Sequence, residues 1–494
     1  MSTTQHAYLA FDLGAESGRA VLGRLQAGLL TMEELHRFAN EPVQYNGELH
    51  WDVPRLWLEM QKGLALAASA GVGRLSGIGV DAWGDDYALL GESGTLLGDP
   101  FHYRDSRTAG MIERVSSIVS REEIYEQTGI QFMELNTLYQ FYAGFEKTPK
   151  LYLNAERLLT VPDLFNFWLT GEANCEFTNA TTTQCYNPRR QRWATELLQK
   201  LGLPIHLLSP LIQPGTVLGP LADPVASATG AGAVPVIAPA CHDTGSAVAA
   251  VHSADQSVFI SSGTWSVLGT EVTEPVINSA SHRLNFTNEG GVCGTFRLLK
   301  NIAGLWLLQA CRREWQTRGQ DWSYGELTRR AQAEPGFQSL VDPDHPSFVR
   351  CASMPEAIAR FCRTTGQPEP QDPAAYTRAI LESLALKYRL VLEALEQLTG
   401  KPNTEIHIVG GGAKNQLLNQ LTANATGRRV LAGPIEATAL GNIGMQMLAT
   451  GAANSLGEVR EVIARSFPAE VYEPHETDEW QDVYKRFRQY CEVR

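Results

Sequence analysis

Two short segments, one near the start of the chain and one past its middle, carry the residue types that bind phosphate groups. Residues 11–19 read Phe-Asp-Leu-Gly-Ala-Glu-Ser-Gly-Arg, and residues 261–266 read Ser-Ser-Gly-Thr-Trp-Ser. Each joins two apolar runs, which predicts a tight β-hairpin whose glycine backbone N–H groups and hydroxyls point outward, as a phosphate requires. Ordinary hairpins use the same residues. The occurrence of one such turn in each half nevertheless favours a nucleotide site that grips one polyphosphate.

A third glycine turn lies in the second half. Gly410, Gly411 and Gly412 follow the apolar strand 406–409 and precede the helical run 416–426, so bare backbone lies near a helix N-terminus. A phosphate or an adenosine edge could approach there; the alternative is a tight strand-to-helix turn without ligand. No Walker A loop is present, because the Gly-Lys pair at 400–401 has no upstream glycine and precedes a proline. If the chain binds ATP, the hairpins are therefore its expected site.

Asp243 is the candidate general base. It follows the strand 234–238 and starts a run of small residues with Thr244, so its carboxylate can stand at a helix start. An aspartate there could accept the proton of an attacking hydroxyl in phosphoryl transfer. A helix cap that only binds backbone N–H groups is the alternative. His242 is interpreted either as a substrate contact or as a ring packed at the strand end.

Further polar residues follow the first-half strands. Asp12 ends the first strand at its hairpin and is a candidate to hold Mg²⁺ through water, or else to bond turn amides. Arg19 is interpreted as a phosphate contact or a solvent-facing side chain. Residues 81–86, Asp-Ala-Trp-Gly-Asp-Asp, combine an aromatic face with polar atoms and suit a sugar. A solvated acidic turn is the alternative.

Length and composition limit the class of protein. A chain of 494 residues is expected to form two domains, and a net charge of −13 without a basic stripe argues against nucleic acid. No apolar run is long enough to span a membrane and no signal peptide is recognised, so we expect a cytoplasmic protein with no membrane partner. The 8 scattered cysteines favour reduced thiols. Monomer and dimer both remain open.

Alternating strand-like and helical runs predict α/β layers in both halves. A domain junction is placed near 246–256, giving domains of residues 1–246 and 247–494. The predicted helices are residues 56–68, 151–168, 194–203, 303–315, 376–398 and 416–426; the predicted strands outside the hairpins are 78–81, 234–238 and 406–409.

The chain resembles the FGGY carbohydrate kinases, within the actin-like ATPase superfold, from Tyr8 to about Leu448. The motifs that carry this resemblance occur in order along the chain: residues 12–15 with 17–19, 103–108, 129–132, 136–140, 178–184, 242–244, 261–266, 288–291, 299–302 and 410–412.

The resemblance implies two ribonuclease-H-like domains with a central cleft, and ATP-dependent phosphorylation of a small ketose. The expected substrate is L-rhamnulose at its 1-hydroxyl, with ATP and Mg²⁺; L-fuculose, xylulose and glycerol are alternatives. Asp243 matches the family's catalytic base. The positions that match ketose contacts are Gly84, His242, Asp243, Thr244 and Asn301. The positions that match ATP contacts are Ala15, Glu16, Ser17, Gly18, Arg19, Thr264, Gln309 and Gly411.

Three residues depart from the family pattern. Glu16 replaces a small hydroxyl residue, Ala82 replaces Thr, and Asp85 replaces an apolar residue after Gly84. The last two lie in the sugar loop and affect the expected sugar specificity more than the reaction. An actin-like or chaperone ATPase that binds protein is the alternative from another class of protein. It shares the paired phosphate turns, but it gives no role to the Trp83 loop or to residues 242–244.

Overall fold

A computed structural model describes residues 5–251, 257–349, 351–475 and 477–491. They form two compact units, each built from separate stretches of the chain. The first unit contains residues 5–251, 271–298 and 437–467; the second contains the other described residues. Residues 252–256 of the junction predicted near 246–256 lie outside the described residues, and the boundary at 246/247 stays a prediction.

The strands are named in chain order. They are β1 His6–Leu13, β2 Ser17–Gln26, β3 Leu29–Ala39, β4 Pro42–Tyr45, β5 Glu48–Trp51, β6 Gly77–Ala82, β7 Tyr87–Leu90, β8 Arg157–Thr160, β9 Cys175–Glu176, β10 Tyr186–Asn187, β11 Arg192–Trp193, β12 Leu211–Ile212, β13 Thr216–Pro220, β14 Pro235–Ala238, β15 Ser257–Ser262, β16 Trp265–Val272, β17 Thr287–Gly290, β18 Phe296–Ala303, β19 Glu405–Val409, β20 Arg429–Ala432 and β21 Glu470–Tyr472.

The α-helices are named in the same way. They are α1 Val53–Ser69, α2 Met111–Ser116, α3 Arg121–Thr128, α4 Thr137–Lys147, α5 Pro149–Asn154, α6 Val161–Thr170, α7 Phe177–Thr182, α8 Thr195–Lys200, α9 Asp223–Thr229, α10 Asp243–Ala249, α11 Ser279–Arg283, α12 Trp306–Thr317, α13 Tyr324–Ala333, α14 Met354–Thr364, α15 Pro373–Thr399, α16 Gln416–Thr426, α17 Ala437–Ala449, α18 Leu456–Ser466 and α19 Thr477–Tyr490.

The sheet of the first unit has the strand order β13-β14-β6-β1-β2-β3. The central strand β1 pairs antiparallel with β2 through the first hairpin and parallel with β6, and β6 pairs parallel with β14. β1 and β6 are buried on both faces, which fits their almost unbroken apolar sequence. This arrangement brings the C-terminal ends of β1, β6 and β14 to one edge of the sheet.

Helices cover both faces of this sheet, and small residues let them approach closely. On one face, a Cβ on Gly63 of α1 would lie 2.6 Å from the Cβ of Ala20. On the other face, a Cβ on Gly77 of β6 would lie 2.8 Å from Gln446 Oε1 of α17. α17 therefore packs directly on the strands that carry the predicted chemistry, although it is more than 350 residues away in sequence.

The second unit repeats this connection pattern. Its central strand β15 pairs antiparallel with β16 through the second hairpin and parallel with β19, and β19 pairs parallel with β20. The long helix α15, capped by Asp372 at its start and by Gly400 in the left-handed conformation at its end, packs against α16. α16 in turn contacts β20 and β21. The expected α/β class and the repeated hairpin are confirmed.

One predicted helix, residues 151–168, is wrong. The stretch 151–168 is not continuous but divides into α5, the strand β8 and α6. β8 pairs antiparallel with β7, so residues 157–160 gain sheet hydrogen bonds, and Pro162 in the first turn of α6 starts a new helix. The apolar spacing of a buried strand next to a helix resembled one longer helix.

No helix among the described residues is both long enough and apolar enough to cross a membrane. The cysteines at positions 175, 185, 241, 293, 311, 351, 362 and 491 are free thiols.

Candidate functional site

The first hairpin brings Asp12 and Arg19 opposite each other. The two residues are cross-strand partners on β1 and β2, and the Arg19 guanidinium bonds the Asp12 carboxylate. The turn between them is closed by Gly14 N, which donates to Ser17 O at 2.9 Å. Arg19 therefore holds a carboxylate at the strand end and does not face solvent, and the expected nucleotide contacts Ala15 to Gly18 lie together in this turn.

The fold explains the residue type found at two positions of this turn. Gly18 is required by packing, because a Cβ there would overlap the ring of Phe38. Glu16, which departs from the family pattern, has an exposed side chain, while its backbone oxygen accepts from Asn40 N at 3.0 Å. The exposed side chain shows how an acidic residue is accommodated in a turn that otherwise contains small residues.

Asp81 stands beside Asp12 on the parallel strand β6. It is fully buried, and its Oδ2 accepts from Asn442 Nδ2 at 2.6 Å. Its Oδ1 has no hydrogen-bond partner within the described part of the chain. Burial, and then the charge of Asp12, raise the pKa of Asp81 well above its ordinary value. Two neighbouring strand ends thus place two carboxyl groups together.

Residues His242, Asp243 and Thr244 lie next to the C-terminal end of β6. Ala82 N donates to Cys241 O at 2.9 Å, and Ala82 and His242 form a parallel bridge. The loop after β6 comes equally close, since a Cβ on Gly84 would lie 3.3 Å from His242 Nε2. The structure therefore brings Gly84, His242 and Asp243 together in the first unit.

Asp243 is the first residue of α10, and its side chain is 31% exposed. Its Oδ1 accepts from Thr244 N at 2.5 Å and from Thr244 Oγ1 at 3.1 Å, and His242 Nε2 lies 3.4 Å from the same oxygen. The residue before it, His242, occupies the cap position without a capping side-chain bond. Asp243 is therefore not the helix cap that the alternative requires, and its carboxylate reaches solvent, as a general base must.

A buried charged pair lies behind His242. Arg297 on β18 is fully buried, and its Nη2 lies 3.2 Å from both Glu289 Oε2 and His242 Nδ1. Arg297 Nε donates to Gly290 O at 2.7 Å. Although burial alone would raise it, the charge of Arg297 and the neighbouring His242 bring the pKa of Glu289 below its ordinary value. Sequence reasoning noted residues 288–291 only as a family motif and gave Glu289 and Arg297 no role.

Glu176 is a third buried residue to which sequence reasoning gave no role. Its carboxylate accepts from Cys241 N at 2.9 Å, from Thr178 N at 2.9 Å and from Thr178 Oγ1 at 2.5 Å. Burial raises its pKa to about 7. These bonds connect the start of α7 to the backbone just before His242, so Glu176 helps to position residues 242–244.

The loop after β6 is not a solvated acidic turn. Asp86 is buried and accepts from Trp51 Nε1 at 2.5 Å, from Trp83 Nε1 at 2.9 Å and from Gln140 Nε2 at 2.8 Å. Burial raises the pKa of Asp86 to about 6. The solvated alternative is therefore wrong for this carboxylate, which instead holds the aromatic face of the loop in place.

Asp85 has an unusual backbone conformation, with φ of 73°. Thr137 Oγ1 donates to its carbonyl oxygen at 2.6 Å, while its side-chain Oδ1 is buried without a hydrogen-bond partner among the described residues. Burial, and then the charges of Asp86 and Glu289, raise its pKa well above the ordinary value. A strained residue with an unused polar atom is typical of ligand sites.

The second unit brings its own predicted residues together at the end of β15. Gly263 N donates to Trp265 O at 2.8 Å, and Thr264 O accepts from Trp306 N at 3.1 Å, which joins the hairpin to the start of α12. Gln309 lies one turn along this helix, and its Oε1 is buried without a partner in the described ranges. Thr264 and Gln309 thus belong to one local arrangement.

The glycine turn reaches the same strand end. A Cβ on Gly412 would overlap Ser262 Oγ, whereas a Cβ on Gly411 would meet nothing within 4 Å. Residues Gly411–Lys414 form a short 3₁₀ turn before α16, so the predicted direct passage from glycine turn to helix contains one extra turn. Gly411 is exposed and faces open space, which leaves room for a ligand.

Lys300 is a partly buried cation next to the expected substrate residue Asn301 on β18. Burial, and then the charge of Lys387, lower its pKa to about 8. Lys387 itself pairs with Asp342 at 2.7 Å and with Asp344 at 2.9 Å. Sequence reasoning noted Lys300 only within a family motif.

Among the described residues, no group of three or more His, Cys, Asp or Glu side chains is arranged to hold a metal ion. The carboxyl oxygens of Asp12 and Asp81 fit Mg²⁺ in a different way, because this ion prefers oxygen ligands and keeps several waters and substrate phosphates around it. One or two carboxylates at a strand end are sufficient for such binding. The buried, unpartnered Oδ1 of Asp81 adds a further acceptor.

Comparison with known proteins agrees with this arrangement. The model of the FGGY family of carbohydrate kinases, N-terminal domain, matches residues 7–250, and the model of its C-terminal domain matches residues 258–450. The chain is 44% identical to a rhamnulokinase of Bacteroides thetaiotaomicron over 482 residues, covering 97% of this chain and 98% of that protein. It is 42% identical to a rhamnulokinase of Pectobacterium atrosepticum, covering 97% and 95% of the two chains.

Solved structures show the same fold at low sequence identity. A ligand-bound xylulose kinase from Lactobacillus acidophilus has a TM-score of 0.82 at 18% identity, covering 99% of this chain and 98% of that one. A glycerol kinase from Plasmodium falciparum with ADP has a TM-score of 0.80 at 13% identity, covering 99% of each chain.

Proposed function

The chain belongs to the FGGY family of carbohydrate kinases, and from that premise we propose that it transfers the γ-phosphoryl group of ATP to the 1-hydroxyl of L-rhamnulose. The products are L-rhamnulose 1-phosphate and ADP, a step of L-rhamnose breakdown. The observation that carries this proposal is the 42–44% identity to rhamnulokinases along almost the whole chain. Membership in a family of carbohydrate kinases also disfavours the protein-binding ATPase considered above.

Asp243 is the proposed general base. Its partly exposed carboxylate takes the proton of the 1-hydroxyl as the alcohol oxygen bonds to the γ-phosphorus. The bond from that phosphorus to the bridging oxygen breaks, and ADP leaves. A positioned base contributes about 10²–10⁴-fold to such a step. Gly84, His242, Thr244 and Asn301 are the proposed sugar contacts.

The glycine turns are the proposed nucleotide contacts. In the first unit these are the residues between β1 and β2, namely Ala15, Glu16, Ser17, Gly18 and Arg19. In the second unit they are Thr264, Gln309 and Gly411, of which Gln309 has a buried amide oxygen that needs a donor and Gly411 faces open space. Backbone N–H groups in such turns offset phosphate charge in the transition state.

Mg²⁺ is the proposed metal, held near Asp12 through water with Asp81 as a neighbouring acceptor. When bound, it neutralises charge on the phosphate oxygens during transfer. Arg19 keeps the Asp12 carboxylate at the end of β1.

Another ketose or polyol is the second candidate substrate, and Asp85 is the observation that favours it. A carboxyl oxygen without a partner, beside Gly84, offers a sugar one more hydrogen bond than an apolar residue would. A coupled assay of ADP release over L-rhamnulose, L-fuculose, xylulose and glycerol separates the candidates. The highest kcat/KM on L-rhamnulose is expected; a higher value on another sugar would transfer the proposal to that sugar.

A further inference from the structure

The hydrogen bonds around His242 determine which ring nitrogen carries a proton. Arg297 Nη2 lies 3.2 Å from His242 Nδ1 in hydrogen-bond geometry. A guanidinium can only donate, so Nδ1 must accept, and the single proton of the neutral ring is then on Nε2. Nε2 lies 3.4 Å from Asp243 Oδ1.

Glu289 does not reverse this assignment. Its Oε2 lies 3.4 Å from the same Nδ1, a distance at which an Nδ1–H group could donate to it. That oxygen, however, has no partner in hydrogen-bond geometry among the described residues, whereas the guanidinium is both nearer to Nδ1 and in hydrogen-bond geometry with it. Glu289 instead provides the negative charge that a fully buried guanidinium needs.

The two oxygens of Asp243 have different surroundings. Oδ1 faces three donors or potential donors: Thr244 N, Thr244 Oγ1 and His242 Nε2. Oδ2 makes no hydrogen bond to any described residue. Donors crowded on one oxygen fix the rotation of the carboxylate and leave the other oxygen available to accept a proton.

We propose that Arg297, held by Glu289, is a positioning residue that keeps His242 in its Nε2–H form, so that Asp243 presents Oδ2 to the attacking sugar hydroxyl. This inference rests on the proposed function for the role of Asp243, but the state of the histidine ring is a property of the protein alone. It assigns a positioning role to a buried ion pair.

The ring state is measurable without turnover. In protein labelled with ¹⁵N-histidine, long-range ¹H–¹⁵N spectra distinguish Nε2–H, Nδ1–H and the doubly protonated ring, and the signal missing in His242→Asn identifies the residue. The Nε2–H form is expected at neutral pH. A ring protonated on Nδ1, alone or together with Nε2, would overturn the proposal.

Variants then test the source of the effect. Arg297→Lys keeps a positive charge for Glu289 but loses the forked donor, so we expect the Nε2–H signal to give way to another form. We also expect kcat to fall on the order of tenfold with KM for ATP unchanged. Arg460→Lys is the matched control, because Arg460 also pairs with a glutamate of the first unit, Glu271, at 2.6 Å.

A merely structural Arg297 would give a different pattern. Both lysine variants would then lose stability while the His242 signal stayed unchanged, and this result would overturn the proposal. If Arg297→Lys does not fold, the ring state of the unmodified protein still decides. Absence of turnover on every sugar, with His242 in the Nε2–H form, would contradict the proposed function and leave the ring assignment standing.

Discussion

Asn442 donates a hydrogen bond of 2.6 Å to the buried carboxyl of Asp81, although the two residues lie 361 positions apart. The Asn442 side chain is held in turn by Gln446 Nε2, which donates to its Oδ1 at 2.7 Å and to Leu9 O at 3.0 Å. α17, from the C-terminal part of the chain, therefore completes the polar interior of the first unit.

Loss of this bond should destabilise the first unit. Asn442→Ala leaves the Asp81 carboxyl buried without its partner, which costs about 1–3 kcal/mol. Thermal and urea unfolding measure the loss. The control is Asn454→Ala, whose exposed side chain bonds Glu458 and whose removal should change stability by less than about 0.5 kcal/mol. Equal stabilities of the two variants would contradict a structural role for Asn442.

Local patterns predicted most of the elements around the site. The two hairpins follow from glycine turns between apolar runs, and α16 occupies the residues 416–426 predicted for it. α15 extends three residues before and one residue after the predicted helix 376–398. Asp243 was placed correctly at a helix start because a strand of apolar residues precedes a run of small ones.

The supporting charges were less visible in the sequence. Arg297 lies in the strand β18, where a single arginine among apolar residues gives no sign that it reaches Glu289 and His242. Likewise, nothing local to residues 437–449 shows that Asn442 meets Asp81. These contacts depend on how distant segments pack. One available signal was Gly77 and Gly79, which share a face of β6 and indicate that something packs closely there.

Substitution of Gly411 should weaken nucleotide binding without harming the fold. A side chain there enters open space, so Gly411→Phe should unfold at nearly the same temperature as the unmodified protein. We expect Kd for ATP, measured by calorimetry, to rise at least tenfold as the ring occupies the nucleotide's place, a cost of about 1.4 kcal/mol. Gly412→Ala is the contrasting variant, because its Cβ overlaps Ser262 and should lower stability itself. Unchanged ATP affinity in Gly411→Phe would contradict the adenosine placement.

Asp163 should make stability depend on pH. Burial raises its folded-state pKa to about 7, so the folded protein holds a proton that the unfolded chain releases near pH 4. Stability from this group is present in full below pH 4 and is lost as the pH rises to 7, by up to about 1.4 kcal/mol per unit. Asp163→Asn stays neutral, so its stability relative to the unmodified protein should increase between pH 4 and 7 and then level off.

Thermal unfolding at pH 5 and pH 8 measures this difference. Asp163→Ala also removes the titration but loses the acceptor for Glu176 N and Thr160 Oγ1. It should therefore show the same change with pH, offset by a constant loss. A stability difference between Asp163→Asn and the unmodified protein that is the same at both pH values would refute the shifted pKa.

Asp85 should affect sugar binding more than nucleotide binding. Because its pKa is raised, Asp85 is protonated over a wider pH range than an ordinary aspartate and can both donate and accept, as an asparagine amide does. Asparagine also tolerates the positive φ. We expect Asp85→Asn to keep KM for the sugar within a few-fold and Asp85→Ala to raise it about tenfold, with KM for ATP constant in both. A normal sugar KM in Asp85→Ala would remove Asp85 from the sugar site.

The turnover of Asp243→Asn with ATP and L-rhamnulose, together with its affinity for ATP, tests the role of Asp243 most directly. The amide keeps the size of the side chain but cannot take the hydroxyl proton, so kcat should fall by about 10²-fold or more while Kd for ATP changes little. A variant that turns over at nearly the normal rate would contradict the assignment of Asp243 as the general base.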